Sequence, residues 1–189
     1  MSKKEKRYRK IIYALRSRKI TDALPLLVSV IGYTLGAIAF ILIGYTNDSS
    51  SAYDAISLLV GGHKASRIIS VFISEMKILL LIFICGFSVF PIESASFVLL
   101  LRGFITGYSA SYVYGLPIKT SVYVTHTFFS SVSLILFAIA CKHTLSFSYA
   151  LSEKNVSKSK AFTRYILDFL FICGLVFILV SLRWIINNK

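Results

Sequence analysis

Val98-Leu99-Leu100-Leu101-Arg102-Gly103-Phe104-Ile105-Thr106-Gly107-Tyr108, in the middle of a 189-residue chain, sets an arginine and two glycines four apart in a stretch apolar enough for a membrane. An arginine at a bilayer centre costs roughly 3 kcal/mol on insertion scales, so such a residue faces protein or water and often marks function. The stretch reads as part of a lipid-embedded helix, and its two features, a buried charge and a run of small residues, frame the rest of the chain.

The composition agrees with this reading: 56% of the residues are hydrophobic and only eight are acidic, as in a multipass membrane protein rather than a soluble domain. Leu24 to Tyr45 is uncharged and matches the roughly 20 residues that a helix needs to cross hydrocarbon. Further apolar blocks cover 78–90, 95–115, 120–141 and 165–186. The expected fold is therefore all-α: an integral membrane helical bundle of about five transmembrane helices near 24–45, 78–90, 95–115, 120–141 and 165–186. Residues 1–23 form a basic arm, and 24–189 form a single transmembrane domain. The block 78–90 is short, and Pro91 with Glu93 breaks it from the next, since proline disfavours helix before it and a carboxylate prefers the interface. A re-entrant pair is the alternative there.

The net charge of +13 is unevenly placed, which argues against nucleic acid. Nine basic residues lie between Lys3 and Lys19, and Lys142, Lys154, Lys158, Lys160 and Arg164 cluster around the connection between the fourth and fifth spans. With five spans both groups fall on one side. The positive-inside rule then puts the N-terminus in the cytoplasm and the C-terminus outside, and the localisation expected is a multi-pass protein of the cell membrane. The first apolar run is long for a signal peptide and lacks a clear small-x-small site, so it reads as a retained anchor. The basic arm, with Ile11, Ile12 and Leu15 on one side of a short surface helix, fits attachment to anionic membrane lipid.

Between the first and second spans, Asn47 to Ser51 is a polar turn. After it, Ile68, Ile69, Phe72, Ile73 and Met76 recur at helical spacing, with Ser70, Ser74, Glu75 and Lys77 on other faces. This amphipathic outer helix reads either as a segment lying in the interface or as a docking surface for an extracytoplasmic partner. Pro117 falls in a short outer turn, and Ser152 to Ser159 reads as a solvated loop. Cys85, Cys141 and Cys173 sit in apolar blocks with no paired spacing, as small core residues do.

Gly103, Gly107, Ser111 and Gly115 repeat every four residues on the third span, and Gly32 and Gly36 offer a matching groove on the first. In lipid, where burial from water gives no drive between helices, small stripes let backbones approach and gain packing contacts. Pairing of the first and third spans, or homo-oligomerisation through either, is the expectation. Arg102 needs a partner: Asp168 in the fifth span, four residues after Arg164, is the leading candidate, with Glu93 as competitor. Such a pair either orients helices or serves transport and gating. His126, among Thr125, Thr127, Ser130 and Ser131, reads as an interhelical hydrogen-bonder.

No HExxH, GxSxG or Walker A pattern occurs, and the membrane carboxylates do not cluster by sequence. The chain reads as no enzyme, with no catalytic residues, no cofactor and no metal site.

Arg102-Gly103-Phe104, followed by Gly107-Tyr108, resembles the arginine-glycine-phenylalanine segment of the stage II sporulation protein M family, multipass membrane proteins of endospore-forming bacteria. Gly32-Tyr33-Thr34-Leu35-Gly36-Ala37-Ile38 is similar to that family's glycine-rich first span, and Glu75-Met76-Lys77 to the entry of its second. The likeness covers roughly Pro25 to Ala140. Where many relatives carry Pro-His-Gly in the fourth span, this chain has Thr125-His126-Thr127, a departure that fits a paralogue as well as the sporulation protein itself.

The resemblance implies a non-enzymatic scaffold of the engulfment machinery, working with two partners that cleave peptidoglycan, the sporulation proteins D and P. The rival expectation is transport: a small multipass transporter, or the permease subunit of an ATP-driven exporter, with Arg102, Asp168 and His126 lining the route.

Overall fold

The computed structural model describes residues 18–44, 68–115, 120–152 and 157–187. These form five helices: α1 (Arg18–Gly44), α2 (Ile68–Cys85), α3 (Pro91–Gly115), α4 (Thr120–Ser152) and α5 (Lys158–Asn187). The described residues contain no strand. Three of the helices hold stretches long and apolar enough to cross a membrane, Ala23–Leu42 in α1, Tyr123–Leu151 in α4 and Lys158–Arg183 in α5, which marks a membrane protein. Residues 1–17 of the basic arm, with Ile11, Ile12 and Leu15, the polar turn 47–51, Pro117 and residues 153–156 of the 152–159 loop lie outside the described residues, while residues 18–23 of the arm form the start of α1.

The amphipathic outer helix, expected to lead into the second span, joins it in one continuous helix. α2 has 18 residues, about 27 Å at helical rise, and ends at Cys85 rather than Phe90. Its periodicity explains the merger. Glu75, Leu79, Ile82 and Gly86 follow one another at spacings of four, three and four and are all buried, while Ile73, Lys77, Leu80, Leu81 and Ile84 are exposed. One face therefore runs unbroken through both segments.

The last four carbonyls of a helix have no partner within it, and here each finds one. Gly86, Phe87 and Ser88 donate their amides to the carbonyls of Phe83, Ile84 and Cys85 at 3.1, 3.0 and 3.1 Å. Thr144 of α4 donates to the remaining carbonyl, that of Ile82, at 3.3 Å. The turn then closes through the Ser88 and Ser94 hydroxyls, 3.0 Å apart, and the Ser94 hydroxyl donates to the Phe90 carbonyl at 2.7 Å. Pro91 opens α3, where a missing amide hydrogen does least harm, and Glu93 lies in the first turn, where a negative charge suits the helix dipole.

α4 is longer than the sequence suggests. It continues past Cys141 to Ser152, so Lys142 and His143 belong to the helix and not to a loop. α5 likewise begins at Lys158, ahead of the apolar block at Tyr165.

Contacts between the helices fix their directions. Gly32 lies against Leu100 and Gly103, and Gly36 against Phe104 and Tyr108, so α1 and α3 run parallel. Glu75 meets Arg102 and the turn 86–90 joins the ends of α2 and α3, so those two run antiparallel. Tyr114 packs on Tyr123 while the Arg102 guanidinium lies over Phe137, which makes α3 and α4 antiparallel. The Thr144 and Tyr165 hydroxyl oxygens lie 2.9 Å apart, and His143 meets Asp168, as expected for an antiparallel α4–α5 pair. Direction thus alternates through all five helices, and α1 and α5 begin at the same end of the bundle.

The core, with Leu79, Ile82, Leu99, Phe137 and Val176 wholly buried, lies where α2, α3, α4 and α5 meet. α1 lies outside it, against α3 and α4. Large apolar side chains such as Leu27, Val30, Leu42, Leu81, Phe97, Phe128, Leu167 and Phe171 are exposed around the bundle, the pattern of a surface that faces lipid.

Candidate functional site

α1 and α3 meet backbone to backbone through glycine. A Cβ on Gly36 would fall on the Phe104 carbonyl oxygen and lie 2.8 Å from the Phe104 carbonyl carbon; one on Gly107 would fall on the Tyr33 oxygen. Gly32 and Gly103 lie against each other and against the carbonyls of Leu100 and Ser29 in the same way. Each glycine therefore aims an α-hydrogen at a carbonyl of the facing helix, a weak contact that recurs where helices approach closely. Ser111, one turn after Gly107, is half-buried, and Gly115 is the last residue of α3. Tyr108 is buried beside this seam, with Phe40 edge-on at 5.3 Å.

This seam fixes one side of α3 and turns Arg102 toward α2 and α4. Its Nη2 donates to Oε1 and Oε2 of Glu75 at 2.6 and 2.8 Å. Ser133 Oγ of α4 adds a third hydrogen bond to the carboxylate, donating to Oε2 at 3.3 Å. The guanidinium carbon lies 5.2 Å from the centre of the Phe137 ring, within cation–π range. Both charged side chains are about nine-tenths buried. A carboxylate and a guanidinium taken from water together lose several kcal/mol of solvation each, which mutual attraction and added hydrogen bonds offset. Arg102 Nε is buried without a hydrogen-bond partner among the described residues.

The sequence reading gave Arg102 to Asp168, and the structure places them apart. The α5 residues that border Glu75 are Val176 to Arg183, whereas Asp168 lies eight residues before Val176, about 12 Å along the helix. Asp168 instead meets His143 of α4, Oδ2 to Nδ1 at 2.9 Å, with about a third of each side chain exposed. Glu93 is exposed at the start of α3, nine residues from Arg102, about 13 Å along the helix. His126 is half-buried on α4, its Nδ1 buried and unbonded among the described residues, so the expected interhelical hydrogen bond from that atom is not made.

Glu75 is the residue that sequence reasoning missed, having placed it on the polar face of an outer helix. Two signals were available. Glu75 shares the spacing of the buried Leu79 and Ile82, and Glu75 and Arg102 lie ten and eleven residues from the two ends of the turn between Cys85 and Pro91. In an antiparallel hairpin such residues face each other at one depth.

A small recess of about 10 Å³, the room needed by about one water, lies beside Glu75 between α2, α4 and α5. Ser130, Ser133 and Arg183 contribute its other polar lining. Nearer the turn, the Tyr165 hydroxyl donates to the Phe83 carbonyl at 2.9 Å and lies 2.9 Å from Thr144 Oγ1. Tyr165 is stacked between the rings of Phe83 and Phe147, 4.7 and 4.2 Å from their centroids. These groups can hold helices in register. The described residues contain no group of three or more His, Cys, Asp or Glu suited to a metal ion.

No protein-family model, curated protein or solved structure matches the chain.

Proposed function

We propose that this chain is a non-enzymatic integral membrane scaffold of the stage II sporulation protein M kind, holding peptidoglycan hydrolases at the outer face of the membrane during forespore engulfment. The observation that carries this reading is the paired charge at the centre of the bundle. The Arg102 charge is taken up by Glu75 and the Phe137 ring, Ser133 donates to the same carboxylate, and the adjoining recess has room for about one water. A rigid, neutralised centre suits a protein whose work is to hold partners in place.

In this reading all five helices cross the bilayer. Alternating directions and the turn between α2 and α3 support that count. The exposed Lys158, Lys160 and Arg164 at the start of α5 support a cytoplasmic location for that end, with the C-terminus outside. The partners are then the sporulation proteins D and P, reached from the opposite end of the bundle. A mild-detergent pull-down of the tagged chain from sporulating cells tests the proposal: peptidoglycan hydrolases should copurify, and their absence overturns it.

The rival reading, a permease subunit of an ATP-driven exporter, has one observation on its side, the four polar residues Glu75, Ser130, Ser133 and Arg183 that share one small, otherwise apolar recess. It requires substrate flux that is lost when Arg102 is replaced by glutamine in a chain that still folds.

A further inference from the structure

The recess beside Glu75 lies where two helix faces meet. His126, Ser130, Ser133 and Phe137 follow one another on α4 at spacings of four, three and four, and so share one face. Opposite them on α5, Val176, Leu179, Val180 and Arg183 share another. The contact of Thr144 with Tyr165 sets the register of this antiparallel pair, and 18 residues away on each helix it brings His126 level with Arg183. His126 lies within electrostatic reach of both Arg183 and Arg102.

The Glu75 carboxylate is not saturated by its direct partners. Oε2 accepts from Arg102 Nη2 and from Ser133, whereas the one bond described to Oε1 comes from the same Nη2. An ionised carboxylate offers about four lone-pair positions, so one remains at Oε1. A buried acceptor left unfilled is costly, and an ordered water with about three polar partners is the usual remedy. The recess has the room, about 10 Å³, and four of its eight lining residues are polar: Glu75, Ser130, Ser133 and Arg183. A wholly apolar cavity would stay dry. Glu75 is seven residues from the start of α2, about 10 Å along the helix, and Arg183 is four residues from the end of α5, so the recess lies near one end of the bundle.

We infer that one ordered water occupies the recess, donating to Glu75 Oε1 and accepting from the Arg183 guanidinium, with the Ser130 hydroxyl as its third partner. A guanidinium carries five N–H donors, so this bond adds to those that Arg183 makes elsewhere. The water brings α5 into the charge cluster. The one carboxylate is shared between Arg102 of α3, directly, and Arg183 of α5, through the water. This holds for a scaffold and for a permease alike.

Radiolytic hydroxyl-radical labelling of the full chain in lipid nanodiscs, read by mass spectrometry, tests the occupancy, because radicals formed from a bound water oxidise the side chains beside it. Phe129 lines the recess, whereas Phe147 belongs to the aromatic stack; the two are 6% and 5% exposed. Phe129 should be oxidised several-fold faster than Phe147, and Ser130→Leu, which fills the recess, should bring the two rates together. Equal rates in wild type mean a dry recess and overturn the inference, as does fast oxidation of Phe129 that persists in Ser130→Leu. The bridge itself is read from unfolding midpoints in a double-mutant cycle: the losses in Glu75→Gln and Arg183→Met should be non-additive. Additive losses would separate Arg183 from the carboxylate and overturn the sharing.

Discussion

Arg102 and Glu75 meet through a single guanidinium nitrogen, Nη2, which donates to both oxygens of the carboxylate at 2.6 and 2.8 Å across 27 residues of chain. Neither residue is tolerable there alone. Glu75→Leu should cost about 3–5 kcal/mol by stranding a buried arginine. Glu75→Leu combined with Arg102→Met should recover most of that loss, because a buried pair replaced by apolar groups of similar size is often neutral. Unfolding in a mixed-micelle denaturant series measures both. A double variant no better than the single one would contradict the pairing.

Asp168→Asn is expected to behave differently. Its partner His143 and the carboxylate are each about a third exposed, so solvent screens the interaction. The expected loss is below about 1 kcal/mol in the same unfolding series. A loss as large as that of Glu75→Leu would restore Asp168 to a central role.

The glycine seam makes a paired prediction. Gly36→Ala would put a methyl on the Phe104 carbonyl oxygen and force α1 from α3, at a cost of about 1–3 kcal/mol. Gly174, in α5, has nothing within 4 Å of the position a Cβ would take. Gly174→Ala should therefore be neutral, or stabilise by up to about 1 kcal/mol through helix propensity. Crosslinking of cysteines introduced along α1 and α3 would report the separation in the first variant and its absence in the second.

At the end of α2, Thr144→Val should cost more than Tyr165→Phe. The Phe83 carbonyl that Tyr165 serves also accepts the Gly86 amide, whereas the Ile82 carbonyl is served by Thr144. Losses of about 1–3 kcal/mol for Thr144→Val and about 1 kcal/mol for Tyr165→Phe are expected from unfolding midpoints. The reverse order would mean that the aromatic stack, rather than the carbonyl cap, ends the helix.

Topology has its own test. A periplasmic-type reporter fused after Lys189 should be active, and a cytoplasmic one silent, if five crossings follow the alternating helix directions. Activity on the cytoplasmic side would remove one crossing from the proposed arrangement.

Much of this architecture is local and so could be read from the residues. Pro91 announces the start of α3, and the fourfold spacing of Gly103 and Gly107 with its echo at Gly32 and Gly36 marks the seam between α1 and α3. What resisted reading depended on which helices are neighbours. Asp168 enters the bundle from the same end as Arg102, but it stays beside His143 near that end, while the α5 residues that border Glu75 are Val176 to Arg183, about 12 Å further along the helix. Glu75 was masked by Lys77, two residues on, which points to the opposite side and lends the segment a surface character. The length of α4 was hidden because Lys142 looked like the end of a span, although it stands exposed on a continuing helix.

The order in which Glu75 and Arg102 leave the ribosome has a consequence for assembly. The carboxylate precedes the guanidinium, and only a tight turn separates their helices, so in the proposed five-span arrangement α2 and α3 would enter the bilayer as one hairpin with its two charges already joined. α1, made earlier, has to wait in lipid with its glycine face open until α3 arrives to close it. Any factor that shields Gly32 and Gly36 during that interval would act on biogenesis while leaving no trace in the finished bundle.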